Sequence, residues 1–325
     1  MKIAITGASG HVGSNLYPEL IRKGYEVKLM VHQDNYKIDH PNIFKADITQ
    51  KDEVDSFVEG ADIVIHLAAR ISISGDPDGS VHEVNYTGTS NVVSSCIRHN
   101  IKRLVHFSTI HVFDPLPLDQ SLDESRALIG NPATAYDQSK IKGEKLVLVA
   151  AADGLNAVII APTSIFGPND HFPSLLGQAI IDIYKGKIPA LVPGGYDFVD
   201  VRDIVKGTIN AMKLGVCGEK YILSGTFLTI KELAEKIGMI GGVTTTQRVL
   251  PIWLLKALIP IFNIQSKLTN KPPLLTNESL DALIESNPYV SCEKAKSELG
   301  YSVSPVDASI TDTLAWFGEN GFLSK

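Results

Sequence analysis

Short apolar runs alternate with segments of helical period through the first half of the chain. Residues 2–6 form an apolar run closed by a glycine and read as a buried strand. Residues 12–23 repeat apolar positions every three or four residues up to Gly24, and residues 26–31 return to strand character. A third strand ends near Asp47, Thr49 caps a polar helix running to about Gly60, and residues 62–67 form another buried strand. A helix over 86–99, a strand over 103–107, a long helix over 136–152 and a strand over 156–161 that stops at Pro162 follow. Strands separated by helices need right-handed crossovers, so the pattern predicts an α/β fold with a doubly wound parallel sheet and helices on both faces.

Beyond Pro162 the rhythm loosens. Phe166-Gly167-Pro168-Asn169-Asp170 and Val192-Pro193-Gly194-Gly195-Tyr196 carry turn chemistry. An amphipathic helix is expected over 174–185, strands over 198–201 and 220–223, and short helices over 229–237, 251–261, 278–284 and 292–299. This reads as a large domain over 1–170, to which 198–225 return, and a smaller, partly interleaved C-terminal substrate lobe over 171–197 and 226–325. No fixed-period repeat is present, which excludes a solenoid. The longest apolar stretch, 249–262, holds Pro251, Lys256 and Pro260 and is shorter than the ~20 residues that cross a bilayer. It predicts a core or lid helix, or at most an interfacial one.

The 325 residues are 44% hydrophobic and 20% charged with a formal charge of −6, values of an ordinary globular protein. There is no basic run to neutralise a phosphate backbone, so nucleic acid is not an expected partner. Cys96, Cys217 and Cys292 are too few and too scattered for a disulfide framework or a metal site. With Met1 leading directly into the first apolar run, a reducing, cytoplasmic location is expected.

Gly7-Ala8-Ser9-Gly10-His11-Val12-Gly13 lies between the first strand and the first helix, where a sharp turn directs backbone N–H groups and a helix N-terminus at the pyrophosphate of a dinucleotide. Asp47 and Ile48, at the end of the third strand, are candidates for the adenine. Leu67, Ala68 and Ala69 end the fourth strand with small residues that let a ligand pass close to the backbone. At the end of the second strand, Val31 holds the place where NAD-selective sites carry a carboxylate for the ribose hydroxyl. His32 and Lys37 follow and can meet a 2′-phosphate, so NADP(H) is favoured and NAD(H) admitted.

Tyr136-Asp137-Gln138-Ser139-Lys140 places a phenol and an ammonium one helical turn apart on one face, where the ammonium favours phenolate and readies the tyrosine for proton exchange. Upstream, Ser108 and Thr109 end the fifth strand in hydroxyls that can reach the same substrate oxygen. Ser108, His111 and Tyr196 are the candidate substrate contacts.

Together with Asn85-Tyr86-Thr87-Gly88-Thr89, Pro162-Thr163 with Phe166-Gly167-Pro168, and Phe198-Val199-Asp200-Val201-Arg202-Asp203, these motifs resemble, in order along most of the chain, the extended short-chain dehydrogenase/reductases of the NAD-dependent epimerase/dehydratase superfamily. The resemblance implies a Rossmann-like fold, Tyr136 as acid/base, Lys140 on the nicotinamide ribose and Thr109 orienting the substrate oxygen. It also implies Asn85, Pro162 and Thr163 lining the cofactor pocket. Asp114 departs from the glycine usual in the family. Tyr196 stands where sugar-nucleotide enzymes of the family carry an arginine for the substrate pyrophosphate. With the apolar 250–262 segment and the following Lys271-Pro272-Pro273-Leu274-Leu275-Thr276, this looks most like the dihydroflavonol reductase and 3-beta-hydroxysteroid dehydrogenase branch.

The expected activity is therefore NAD(P)-dependent reduction of a ketone or aldehyde, or oxidation of the alcohol, on an apolar small molecule. A nucleotide-sugar epimerase or dehydratase and a non-catalytic dinucleotide sensor are the alternatives. The resemblance implies a homodimer in which the helices over 86–99 and 136–152 pair across a two-fold axis; the apolar run Leu146-Val147-Leu148-Val149-Ala150-Ala151 is broad enough to serve both the sheet and a partner, and its full burial inside one subunit is the alternative.

Overall fold

A computed structural model of the protein describes residues 1–32, 38–73, 75–130, 134–269 and 275–324, the side chains of 263–265 and 267–269 excepted. The chain begins β1 (Lys2–Thr6), α1 (His11–Arg22), β2 (Glu26–Val31), β3 (Ile43–Lys45), α2 (Lys51–Val58) and β4 (Ile63–His66). A short turn α3 (Ser80–His82) passes through a π-helical turn at Glu83–Thr87 into α4 (Gly88–Arg98). β5 (Arg103–Phe107), α5 (Ala135–Ala152) and β6 (Ala157–Pro162) complete the alternating half. The second half comprises β7 (Ser164–Phe166), α6 (Leu175–Tyr184), β8 (Gly195–Asp200), α7 (Val201–Leu214), β9 (Lys220–Leu223), β10 (Thr226–Thr229), α8 (Ile230–Gly241), α9 (Ile252–Thr269), α10 (Asn277–Ile284), α11 (Glu293–Leu299) and α12 (Val306–Glu319).

Seven strands form one parallel sheet in the order β3-β2-β1-β4-β5-β6-β9. The chain starts at β1, winds outward to β3 and returns to β4, which makes the carboxyl ends of β1 and β4 the switch point where such sheets bind ligands. Thr6 pairs with His66 there, and His66 with His106. The strands are apolar on both sides because both faces are covered. Ile3, Ile5, Val105, Val158 and Ile160 pack beneath Leu16, Leu20 and Ile209, whereas Ala4, Val64, Leu104 and Ile159 pack beneath Val54, Val92, Cys96 and Val147.

Three strands form a second sheet, β10-β8-β7, with β8 antiparallel to β10 and parallel to β7. Its core joins Phe166, Phe198 and Leu228 to Ile180, Leu233, Ile310, Leu314 and Phe317. Of the segment 198–225 expected to rejoin the large sheet, β9 does and α7 packs on α1, but 198–200 belongs to the small sheet. β7 and β10 escape a reading of periodicity because three or four residues are too few to show alternation.

Two local expectations are corrected. Thr49 does not cap α2, whose N-cap is Gln50; the Thr49 hydroxyl and amide instead donate to Asp47 Oδ1 at 2.8 and 2.9 Å, closing a turn ahead of the helix. The helix expected over 251–261 continues to Thr269 through Pro260, whose exposed position leaves the missing amide bond away from the core. Among the described residues, no helix is long and apolar enough to cross a membrane, and no group of three or more His, Cys, Asp or Glu side chains could hold a metal ion.

Candidate active site

The glycine turn is built for close approach. Gly7 has φ +68°, and a Cβ there would lie 2.7 Å from the Ala68 nitrogen; one on Gly13 would lie 2.5 Å from the Ala8 carbonyl oxygen. Gly10 caps α1 with no side-chain hydrogen bond, and the first turn holds no acidic residue. The amides of this first turn therefore lack intrahelical acceptors and a competing carboxylate, the donor set that a pyrophosphate takes. These features fit a dinucleotide, with Gly7 to Gly13 at its phosphates and residues 67–69 alongside. The His11 ring serves the turn indirectly. Its Nε2 lies 3.0 Å from the Pro168 carbonyl oxygen, which also accepts from Asn15 at 3.0 Å, so the N-terminus of α1 is fastened to the 166–170 loop.

A directional hydrogen-bond chain runs from this turn toward α5. Thr89 Oγ1 donates to the Asn85 carbonyl at 2.6 Å and so accepts from His66 Nε2–H at 3.0 Å. His66 Nδ1 then accepts from Thr6 Oγ1 at 2.7 Å, and Thr6 Oγ1 accepts from the Ala68 amide at 3.2 Å. Burial and the charge of Lys140 hold the His66 imidazole down at about 3, consistent with this neutral tautomer.

Asn85, on the π-helical turn, carries the chain onward. Its amide nitrogen donates to the Arg70 carbonyl at 3.0 Å and to Ser139 Oγ at 2.9 Å, and its oxygen accepts from the Arg70 amide at 2.8 Å. Ser139 in turn donates to the Tyr136 carbonyl at 2.7 Å.

Tyr136, Lys140 and the end of β5 converge beside it. α5 is started by a capping box between Thr134 and Asp137 and presents Tyr136 and Lys140 on one face. The Thr109 side chain hydrogen bonds the Tyr136 phenol, and Lys140 Nζ donates to the Phe107 carbonyl at 2.5 Å. Burial pushes the phenol up to about 12 despite Thr109, and pushes the Lys140 ammonium down to about 8 despite Glu144. The lowering of the tyrosine by Lys140 expected from the sequence is thus replaced by a rise: desolvation disfavours the phenolate, and the group that opposes it is Thr109.

Several candidate residues have other employment. Ser108 faces away from the cleft and donates to Glu144 Oε2 at 2.5 Å. Thr163 donates to Asp197 Oδ1 at 2.6 Å, and both amide hydrogens of Asn85 are used in the chain above, so what either side chain keeps for a ligand is acceptor capacity. Asp47 keeps one oxygen for Thr49. Ile48 packs in the core, its side chain 3.0 Å from where a Cβ on Gly88 would stand. Pro162 is buried at the end of β6, paired with Leu223.

The His111 amide donates to Thr109 Oγ1 at 3.3 Å, and its ring lies within charge range of Asp137. The Tyr196 ring packs edge-on against Phe198 with centroids 6.3 Å apart. His32 is exposed at the end of β2. Lys37 and residues 271–274 lie outside the described residues.

Glu144 and Lys220 went unnoticed in the sequence. Glu144 follows Lys140 at i+4, a readable signal for the same helix face, whereas Lys220 comes near only because β9 lies beside β6.

A doubly wound sheet whose switch point holds a glycine turn, with Thr109, Tyr136 and Lys140 beside it, defines an enzyme of the extended short-chain dehydrogenase/reductase class. Residues 3–224 match the model of the NAD dependent epimerase/dehydratase family, and the chain belongs to that family, which is NAD(P)-dependent. It is 28% identical to sterol demethylase protein B of Methylococcus capsulatus over 99% of this chain and 100% of that protein. It is 29% identical to 3beta-hydroxysteroid-dehydrogenase/decarboxylase isoform 1 of Arabidopsis thaliana over 84% of this chain and 66% of that one. The fold also superimposes on UDP-glucose 4-epimerase of Thermus thermophilus in complex with NAD, with a TM-score of 0.78 and 21% identity over 98% of this chain and 99% of that one.

Proposed function

We propose that this chain is an NAD(P)-dependent oxidoreductase that interconverts a ketone and a secondary alcohol on an apolar, ring-bearing molecule of the sterol kind. The observation that carries the reading is that α5 sets Tyr136 against the Thr109 side chain and Lys140 against the Phe107 carbonyl of the same strand end, at the switch point. When bound, the nicotinamide supplies or accepts the hydride. Thr109 orients the substrate oxygen, Tyr136 exchanges a proton with it, and Lys140 holds a positive charge beside the ribose. With its pKa near 12 the Tyr136 phenol is neutral at physiological pH, the form that donates to a carbonyl oxygen.

The substrate class rests on the two steroid-acting relatives and on the apolar surroundings of the second lobe, where Leu255, Ile259, Leu275 and Leu280 form their own cluster with Val192 and Leu250 nearby. Tyr196, in place of an arginine, speaks against a nucleotide-sugar pyrophosphate. NADP(H) is the favoured cofactor, because Val31 is buried at the end of β2 and the exposed His32 follows it. The test is turnover of purified protein with 3-hydroxysteroids, 3-ketosteroids, simple ketones and UDP-glucose, each with both nicotinamide cofactors. Net cofactor oxidation or reduction with a steroid supports the reading. Interconversion of UDP-sugars without net cofactor turnover would replace it with an epimerase.

A further inference from the structure

Three successive residues at the end of β5 are held by residues 136, 140 and 144, each a turn apart on α5. Tyr136 bonds Thr109, Lys140 takes the Phe107 carbonyl, and Glu144 takes Ser108. Glu144 is 0% exposed, an environment in which a carboxylate persists only when fully partnered. Oε2 accepts from Ser108, and Oε1 meets the ammonium of Lys220, which reaches in from the start of β9 and lies 4.3 Å from the centroid of the Phe113 ring.

We infer that Glu144 is a positioning residue of the Tyr136–Lys140 site: its buried carboxylate fixes Ser108, and with it the strand end that carries Thr109, and presents a negative charge to Lys140 one helical turn away. The inference rests on the function proposed above. The groups that face Lys140 are Glu144 from α5, His66 from β4, and His106 with the Phe107 carbonyl from β5, with Tyr136 one helical turn away on α5. Both imidazoles are kept neutral by burial and by Lys140 itself, so among the described residues Glu144 is the anion that acts on Lys140. Burial drives the Lys140 ammonium down to about 8, and Glu144 opposes that drift. Lys220 meets the second oxygen of Glu144, so the buried carboxyl group has an ammonium on one oxygen and the Ser108 hydroxyl on the other.

Two full-length variants test this, Glu144→Gln and the double variant Glu144→Gln with Lys220→Met, which leaves no unpaired buried ammonium behind. The readouts are the Lys140 titration by lysine side-chain NMR in the cofactor-free protein and the pH profile of kcat for carbonyl reduction. Both variants are expected to move the Lys140 midpoint down by about one pH unit and to cut kcat at pH 8 about tenfold, with substrate KM little changed. A double variant as stable as the wild type that titrates Lys140 at the wild-type midpoint would overturn the inference. Tyr136→Phe separates the two readings. If it keeps turnover, the proposed site is wrong; if it abolishes turnover while the double variant titrates as wild type, the role of Glu144 alone falls.

Discussion

Lys140 Nζ donates to the Phe107 carbonyl oxygen at 2.5 Å, tying the ammonium to the same strand end that carries Thr109. A side chain so placed pins α5 to the strand end beside Thr109, the residue that hydrogen bonds the Tyr136 phenol. Tyr136→Phe is therefore expected to lower kcat by ~10²-fold or more, the usual share of general acid–base catalysis, while cofactor affinity stays within a few-fold. Lys140→Ala is expected to impair both. Steady-state rates and cofactor fluorescence titration separate the two effects, and a Tyr136→Phe enzyme retaining a tenth of its activity would remove the acid/base assignment.

The glycine turn makes a steric prediction with an internal control. Gly7→Ala forces an L-residue to φ +68° and drives its Cβ against the Ala68 backbone, so a loss of about 2 kcal/mol or more and at least a tenfold weaker cofactor affinity are expected. Gly24→Ala, at φ +82° with open space around it, is expected to cost about 1 kcal/mol and leave affinity alone. Urea denaturation and cofactor titration measure both.

His66 and His106 are buried neighbours, their ring centroids 5.4 Å apart, and both are neutral when folded. In the unfolded chain each binds a proton below about 6.5, whereas folded His66 does so only near 3. The unfolded state thus holds more protons in that window, and stability is lost as pH falls from 6.5 toward 3, by up to about 1.4 kcal/mol per pH unit for each imidazole. Denaturant midpoints across this range should flatten in a His66→Gln, His106→Leu variant. An unchanged slope would assign the acid sensitivity to other groups.

The proposed NADP(H) preference rests on His32. Its replacement by aspartate puts a carboxylate beside the place of the 2′-phosphate, so the ratio of kcat/KM for NADPH over NADH is expected to fall at least tenfold. A wild-type enzyme that prefers NADH, or a ratio indifferent to His32, would defeat the preference or its cause.

Val149 on α5 is 63% exposed and Ile97 on α4 is 53% exposed, while Val147 and Ala150 are buried against the sheet. These exposed positions are the surface that the expected homodimer would cover. Light scattering at micromolar concentration is expected to give twice the chain mass, and Val149→Glu to halve it. A monomeric wild type removes the dimer.

Much of this architecture was legible without coordinates. Alternating strand and helix periods, with Gly7-x-x-Gly10-x-x-Gly13 at the first turn, specify a parallel sheet with a phosphate-binding edge, because crossover handedness and backbone sterics leave few other arrangements. The spacing of Tyr136 and Lys140 likewise follows from the helix alone.

Tertiary structure decided which polar groups face the cleft and which are consumed inside. Ser108 and Thr109 are adjacent hydroxyls that sequence alone cannot tell apart, and only α5 packed against this strand end assigns Ser108 to Glu144 and Thr109 to Tyr136. For Asn85 and Thr163 the sequence could not show the internal partners, Arg70, Ser139 and Asp197, that take their donors in the fold. The proton affinities of Tyr136 and Lys140 belong to the same category. A sequence shows that the phenol and the ammonium lie one helical turn apart, but desolvation, the largest cause of the shift in both, exists only once the surrounding chain has excluded water.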